Sequence, residues 1–231
     1  MKVVSYNIRS GIHHPRKLSA IADALRPLGA DLIALQEVDN GATRSGKVNQ
    51  AKILAELLAL PFSVFSATET LEDGGETGNG VLSRYPLTGI EVTKLPGNEH
   101  APHTLTHVAV AHPSESFLLL NTALGSTAEL RQTQLGRIIG IVEERAESVL
   151  LAGSFHAQLG DGELQTLRTM LRDAHSGLQN RVTCPADGAN ERDRTIDYLF
   201  YSSEFELQRA KVITEAGSAS NHYPLLAEFS L

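Results

Sequence analysis

The sequence predicts an α+β fold in which two β-sheets pack against each other and helices cover them. Three observations lead there. Strand-like segments outnumber helical ones. They follow one another in mixed order rather than in strict alternation, which argues against a TIM barrel or a Rossmann sheet. No linker-like stretch or internal repeat interrupts the 231 residues, so residues 1–231 are read as one domain.

Lys2–Ile8 alternates and is rich in Val, Tyr and Ile, a strand pattern. Leu18, Ile21, Ala22, Leu25 and Leu28 recur at helical spacing, and Gly29 closes that helix. Asp31–Val38 is a short apolar run typical of a buried strand. Ala51, Leu54, Leu57 and Leu58 mark a second helix, stopped before Pro61. Strand patterns follow at Phe62–Ala67, Gly80–Ser83, Thr88–Leu95, His103–His112 and Ser116–Thr122. The acidic, Gly-rich Leu71–Asn79 lacks the lysine and serine of a P-loop and reads as a hairpin loop. Leu130, Leu135, Ile138, Ile139 and Val142 form the longest amphipathic helix, which leads into a buried strand at Val149–Ala152. A short helix at Gly162–Leu171 and strands at Thr195–Tyr201, Leu207–Thr214 and Leu225–Phe229 complete the chain.

Composition excludes several classes. With 42% apolar and 20% charged residues the chain is neither disordered nor coiled coil. A chain this long buries roughly 70–75% of its unfolded surface and needs no disulfide or metal staple. Its single cysteine, Cys184, rules out a disulfide framework and fits a reducing compartment. No apolar run has the length of a signal peptide or membrane span, so a cytoplasmic monomer is expected. Twenty Lys and Arg against 27 Asp and Glu give a net charge of −7, so long nucleic acid is not favoured as a partner.

Polar residues at the ends of apolar strands carry the functional signal. They are Asn7, Gln36-Glu37, Asn121-Thr122-Ala123, Gly153-Ser154-Phe155-His156, Ile196-Asp197-Tyr198 and Ser220-Asn221-His222-Tyr223-Pro224. In order they sit in VVSYNIRSG, LIALQEVD, LLLNTALG (with ELRQTQ after it), VLLAGSFHA, RTIDYLFYS and ASNHYPLLAEF, and RSGKVNQAKILAELL and GNGVLSRYPL lie between the second and third of these. Across essentially its whole length the chain resembles the endonuclease/exonuclease/phosphatase superfamily, and within it a short bacterial subgroup with the GN-x-hydrophobic-LSRYP segment. The resemblance implies a four-layer α/β sandwich, two mixed β-sheets packed face to face with helices outside, and a site at one rim. It implies Mg²⁺-assisted attack of water on a phosphoester, with Asn7 and Glu37 holding the metal. Asp197 then stands beside the metal and the catalytic His222, and Asn79 and Arg44 are candidates for contact with substrate.

The rest of the family's set is replaced. Ala123 stands for the histidine of the family's NTH motif, Ser154 and His156 for the aspartate and asparagine of GDFN, and Asn221 for the aspartate of SDH. Ser154 is a far weaker base than a carboxylate, and general-base contributions are typically about 10²–10⁴-fold. Asn221 cannot fix the tautomer of His222 as a carboxylate does; in a serine protease such an Asp→Asn change drops turnover about 10⁴-fold. Ala123 removes a donor to the phosphoryl oxygens, a loss of about 2.7–4 kcal/mol.

Three readings follow. In the first the site is eroded and the chain is a pseudoenzyme that retains the fold and some phosphate or metal binding, with Mg²⁺ or no metal. In the second the site is rebuilt as an active hydrolase in which Glu37, His156 and His222 hold Zn²⁺ or Mn²⁺, because imidazole suits those metals. The third is deliberate inactivation, against which His156 speaks as an odd choice. The expected partner is a small phosphoester or an unidentified binding partner, by elimination. His13-His14 lie on a loop near the rim, and His100 and His103 flank Pro102, where close relatives carry arginine at the second. Cys184, in a polar loop, reads as a poor catalytic thiol.

Overall fold

The computed structural model describes residues 1–13, 17–98, 101–186 and 192–231. His14 and His100 lie outside them. The strands are β1 (Lys2–Asn7), β2 (Leu32–Asn40), β3 (Phe62–Thr70), β4 (Glu76–Ser83), β5 (Leu87–Asn98) and β6 (Ala101–Val110). They continue with β7 (Phe117–Ala123), β8 (Val149–Ser154), β9 (Arg172–Asp173), β10 (Asp197–Tyr201), β11 (Glu206–Val212) and β12 (Leu225–Ser230). The helices are α1 (Leu18–Leu25), α2 (Gln50–Leu58), α3 (Ala128–Glu143) and α4 (Gln165–Met170).

The strands form two six-stranded sheets, ordered β11-β12-β1-β2-β4-β3 and β5-β6-β7-β8-β10-β9. Each has one parallel pair, β1 with β2 and β7 with β8, between antiparallel neighbours. The expected two mixed sheets are therefore present. A parallel pair needs a crossover, and α1 and α3 supply it. One apolar cluster, including Val3, Leu32, Val81, Leu119, Leu150, Leu199 and Phe229, lies between the sheets. A second joins α1 and α2 to the outer face of the first sheet, and a third joins α3 and α4 to that of the second. These three apolar layers make the four-layer sandwich. No helix among the described residues is long and apolar enough to cross a membrane.

Local departures from the sequence reading have local causes. The first helix runs as α-helix only to Leu25 and tightens into a 3₁₀ turn at Arg26–Leu28, because Pro27 has no N–H to continue the helical ladder. Gly29 then closes it in the left-handed region at φ 57°. The hairpin loop is shorter than Leu71–Asn79. Glu76 and Thr77 already pair with β2 and β3, so Asn79 lies within a strand. The two-residue β9 has no period of its own and is defined only by pairing with the end of β10. Helices α2 and α3 start on capped residues: Asn49 accepts from Lys52 N at 2.9 Å, and Thr127 from Leu130 N at 3.3 Å.

Candidate active site

Both parallel pairs end on the same rim, and the polar junctions of the sequence meet there. On β2 the ladder to β4 slips between Leu35 and Val38, which places Gln36 and Glu37 in a bulge. Glu37 takes a left-handed backbone, φ 52°, and the bulge frees its side chain from the strand's in–out alternation. Its Oε1 accepts from Asn7 Nδ2 at 2.8 Å, and its Oε2 faces Arg9 Nη1 at 3.3 Å. Asn7 is buried and its Oδ1 accepts from the Arg9 backbone N–H at 3.0 Å. Arg9 and Ser10 are also left-handed, as is His156 across the rim, so strained backbone collects at this place.

Gln36 turns inward and joins the sheets. Its Nε2 donates to Asn121 Oδ1 at 2.8 Å, and Asn121 Nδ2 donates to Leu35 O and Gly80 O at 2.9 and 3.0 Å. Asn121, legible in the sequence only as a motif residue, is thus a buried cross-sheet clamp. Asn121→Ala should leave those buried groups unpaired and cost about 1–3 kcal/mol; a shift in the denaturant midpoint measures it. Asn79 is buried, donates to Asn121 O at 3.4 Å, and does not line the rim cavity.

The second sheet presents a transverse row. Ala123 on β7 registers with Ser154 on β8, and Ser154 with Asp197 on β10. The backbone carbonyl of Ala123 accepts from His103 Nδ1 at 3.0 Å, which fixes that imidazole's tautomer. Asp197 is fully buried. Its backbone N–H donates to Thr183 Oγ1 at 3.0 Å, and its Oδ2 accepts from His222 Nδ1 at 2.7 Å. His222 is held in place by the loop before β12: Ser220 Oγ donates to Asn7 O at 2.9 Å and receives His222 N–H at 3.3 Å.

This corrects one expectation. The loss foreseen at Asn221 does not fall on His222, because Asp197 is the carboxylate that fixes its tautomer. Burial disfavours the imidazolium, but the charge and hydrogen bond of Asp197 outweigh it, aided by the Cys184 thiol, and push His222 up to about 10. Burial likewise works against ionised Asp197, and His222 overrides it to hold that carboxyl below its usual range. Cys184 is a buried neighbour of the dyad, and its Sγ accepts from Arg194 Nη2 at 3.1 Å. Sequence reasoning missed this contact, as it missed Arg9 and Thr183. The NIRSG run offered a signal for Arg9. Nothing local signalled Thr183 or Cys184, which the fold delivers from a loop.

His156 follows Ser154 at φ 55°, near Asp197, Glu37 and His222. Burial is the chief cause that lowers its pKa below the ordinary histidine value, so it is neutral at pH 7. The aromatic group Phe155–Tyr198–Phe200 supports this turn, with Tyr198 Oη 2.9 Å from Ala157 O. Arg44 lines the rim but is clasped by Asp39, Nε to Oδ2 at 2.8 Å and Nη2 to Oδ1 at 2.7 Å. On the first sheet's side of the rim opens a cavity of about 640 Å³ lined by Arg9, Ser10, Ile12, His13, Glu37, Arg44 and Asn221; Ala123, Ser154, His156, Asp197 and His222 do not line it.

Residues 4–222 match the model of the Endonuclease/Exonuclease/phosphatase family. The chain belongs to this family. Solved structures agree on the fold of this family member. An endonuclease/exonuclease/phosphatase from Beutenbergia cavernae is 23% identical with a TM-score of 0.82, covering 100% of this chain and 71% of that one. The mannosyl-6-phosphatase Bt3783 of Bacteroides thetaiotaomicron is 18% identical with a TM-score of 0.77 and full coverage of both chains. The human Nocturnin catalytic domain is 18% identical with a TM-score of 0.74, covering 100% of this chain and 94% of that one. No curated protein matches the sequence.

The family is generally metal-dependent. Glu37 is a partly exposed carboxylate opening on the cavity, and Ser154 Oγ, Asp197 Oδ1 and Asn221 Oδ1 are buried without partners. One carboxylate, waters and a substrate phosphate suit Mg²⁺. A three-group set through His156 and His222 is not assembled, and Mn²⁺ accepts the same oxygen ligands as Mg²⁺. Among the described residues no three His, Cys, Asp or Glu groups converge, and His222 is a cation tied to Asp197.

Proposed function

We propose that this family member binds a small phosphoester at the rim and hydrolyses it poorly. The observation that supports this is the row Ala123–Ser154–Asp197. Its one carboxylate is committed to His222 through Oδ2, and the neighbouring hydroxyl of Ser154 has no partner. A serine hydroxyl cannot take a proton from water at neutral pH, so the attacking water lacks its base. Binding is supported by the groups that remain. Arg9 and Arg44 bring guanidinium charge to the cavity, and His222, kept cationic by Asp197, lies next to Asn221 on its lining. Mg²⁺ held at Glu37 and Asn7 would add Lewis-acid charge to the phosphoryl oxygens.

A second reading rests on His156. A neutral imidazole on strained backbone beside Asp197 and Glu37 has the protonation state of a general base, which would make the site rebuilt rather than eroded. One experiment addresses both. The melting temperature is read with inorganic phosphate and Mg²⁺, and turnover with a phosphomonoester and a phosphodiester. Phosphate with Mg²⁺ should raise the melting temperature, since a ligand of the native state stabilises it, while turnover stays at background. An unchanged melting temperature refutes the binding; brisk turnover that His156→Ala abolishes favours the second reading.

A further inference from the structure

A second cavity, of about 470 Å³, lies against the edge of the other sheet and is lined by Leu159, Arg168, Leu171, Arg172, Asp173, His175, Ser176, Arg181 and Tyr201. It shares no residue with the rim cavity. Tyr201 is four residues along β10 from Asp197, about 13 Å at the rise of a strand. Three guanidinium groups and one carboxylate line the cavity, an excess of two positive charges in the lining of a chain whose net charge is −7, with Glu204 near Arg172 outside the lining. Arg168 is fixed by its neighbours. Its Nη2 donates to Asp173 Oδ2 at 3.1 Å, its Nη1 to Leu159 O at 2.8 Å, and its guanidinium lies 5.9 Å from the centre of the Tyr198 ring. Among the described residues Arg181 uses only Nε, on Leu178 O at 2.9 Å, and its two terminal nitrogens have no partner there. Arg172 is exposed and forms no ion pair with any described residue.

His175 lines the same cavity. It is fully buried, its Nδ1 lies 3.3 Å from Asp173 Oδ1, and its Nε2 has no partner. Leaving a buried polar nitrogen unpaired is costly, so such atoms usually have a water or ligand to meet. We propose that this cavity is a second binding site, separate from the family's, for a small molecule carrying a dianionic phosphate group. Planar guanidinium forks match phosphate oxygens two at a time, and an excess of two charges balances a phosphomonoester dianion rather than a carboxylate. His175 forms part of the cavity wall and is oriented through Nδ1 by Asp173. Leu159, Leu171 and Tyr201 wall the remainder, which suits an organic group attached to the phosphate.

The test is calorimetric titration of the full chain with inorganic phosphate, with acetate as the monoanionic control. Arg172→Gln and Arg181→Gln are combined in one variant, both being at least partly exposed so that folding is preserved, and Arg44→Gln serves as the rim control. The expected result is phosphate binding that the Arg172/Arg181 variant weakens at least tenfold and Arg44→Gln leaves in place, with acetate binding at least tenfold more weakly than phosphate. A His175 ring resonance that moves on phosphate addition in wild type, and not in the Arg172/Arg181 variant, supports the same site. The proposal is overturned if that variant binds phosphate like wild type, if only Arg44→Gln abolishes binding, or if acetate binds as well as phosphate.

Discussion

Ala123→His, Ser154→Asp, His156→Asn and Asn221→Asp, introduced together, should raise Mg²⁺-dependent cleavage of a phosphodiester by about 10²–10⁴-fold over the unmodified chain, the range a positioned general base contributes. The reasoning lies in the register of the second sheet. Positions 123, 154 and 197 are cross-strand neighbours, so a carboxylate at 154 stands directly beside Asp197. Two carboxylates at that spacing, about 5 Å between Cβ atoms, repel each other unless a cation or proton lies between them. The repaired chain should therefore melt below wild type without metal and recover when Mg²⁺ is added. Gains within one constellation are not additive, so Ser154→Asp alone is expected to yield only part of the rate. A repaired chain no faster than the original would mean that the missing base is not what limits the site. A wild-type chain already faster than its repaired form would mean that His156 has taken over the work.

The second large effect concerns stability. Asp197→Asn should cost about 3–5 kcal/mol at pH 7, the usual consequence of removing one partner from a buried ion pair. Both side chains are buried, at 0% and 3% exposure, so little solvent screening reduces the figure. The pH dependence follows from His222. Its folded pKa, about 10, is above the unfolded value, about 6.5, so its contribution is complete below about pH 6.5 and is lost as the pH rises through 10. Asp197 shifts downward, so its own contribution is present above its unfolded value and fades only in acid. Denaturant midpoints of wild type and Asp197→Asn should consequently lie furthest apart between about pH 4 and 6.5 and converge as the pH rises from there through 10. Equal midpoints at pH 7 would show that the pair contributes nothing to the fold.

These two expectations pull in different directions on the family's machinery. The dyad of His222 and Asp197 is kept, and with it the stability of the rim where the two sheets meet. In the proposed reading, position 154 lacks the carboxylate that would deprotonate water. A site can lose its chemistry without loosening its architecture when the groups that hold the rim together differ from those that act on substrate. Gln36, Asn121, Ser220 and Thr183 belong to the former group here.

The layer architecture was readable from the sequence because burial on a strand or helix imposes a period. Leu32–Leu35 and Leu118–Leu120 are apolar without alternation because each is packed on both faces, and Ile21, Leu25, Leu135 and Ile138 recur at helical spacing because one face meets a sheet. Asn7, Glu37, Asp197 and His222 were found as polar residues at strand ends, where packing does not demand them. What the sequence left undecided depends on contacts between distant segments. Only the folded chain shows that Asp197, not residue 221, orients His222; that Asn121 ties one sheet to the other; and that Arg168, Arg172, Arg181 and His175 share a cavity. The physical reason is one of range. Periodicity and turn chemistry act over a few residues, whereas the protonation of His222 and the pairing of a buried amide depend on groups 25 and 85 residues away, brought within hydrogen-bond distance by the pairing of the sheets.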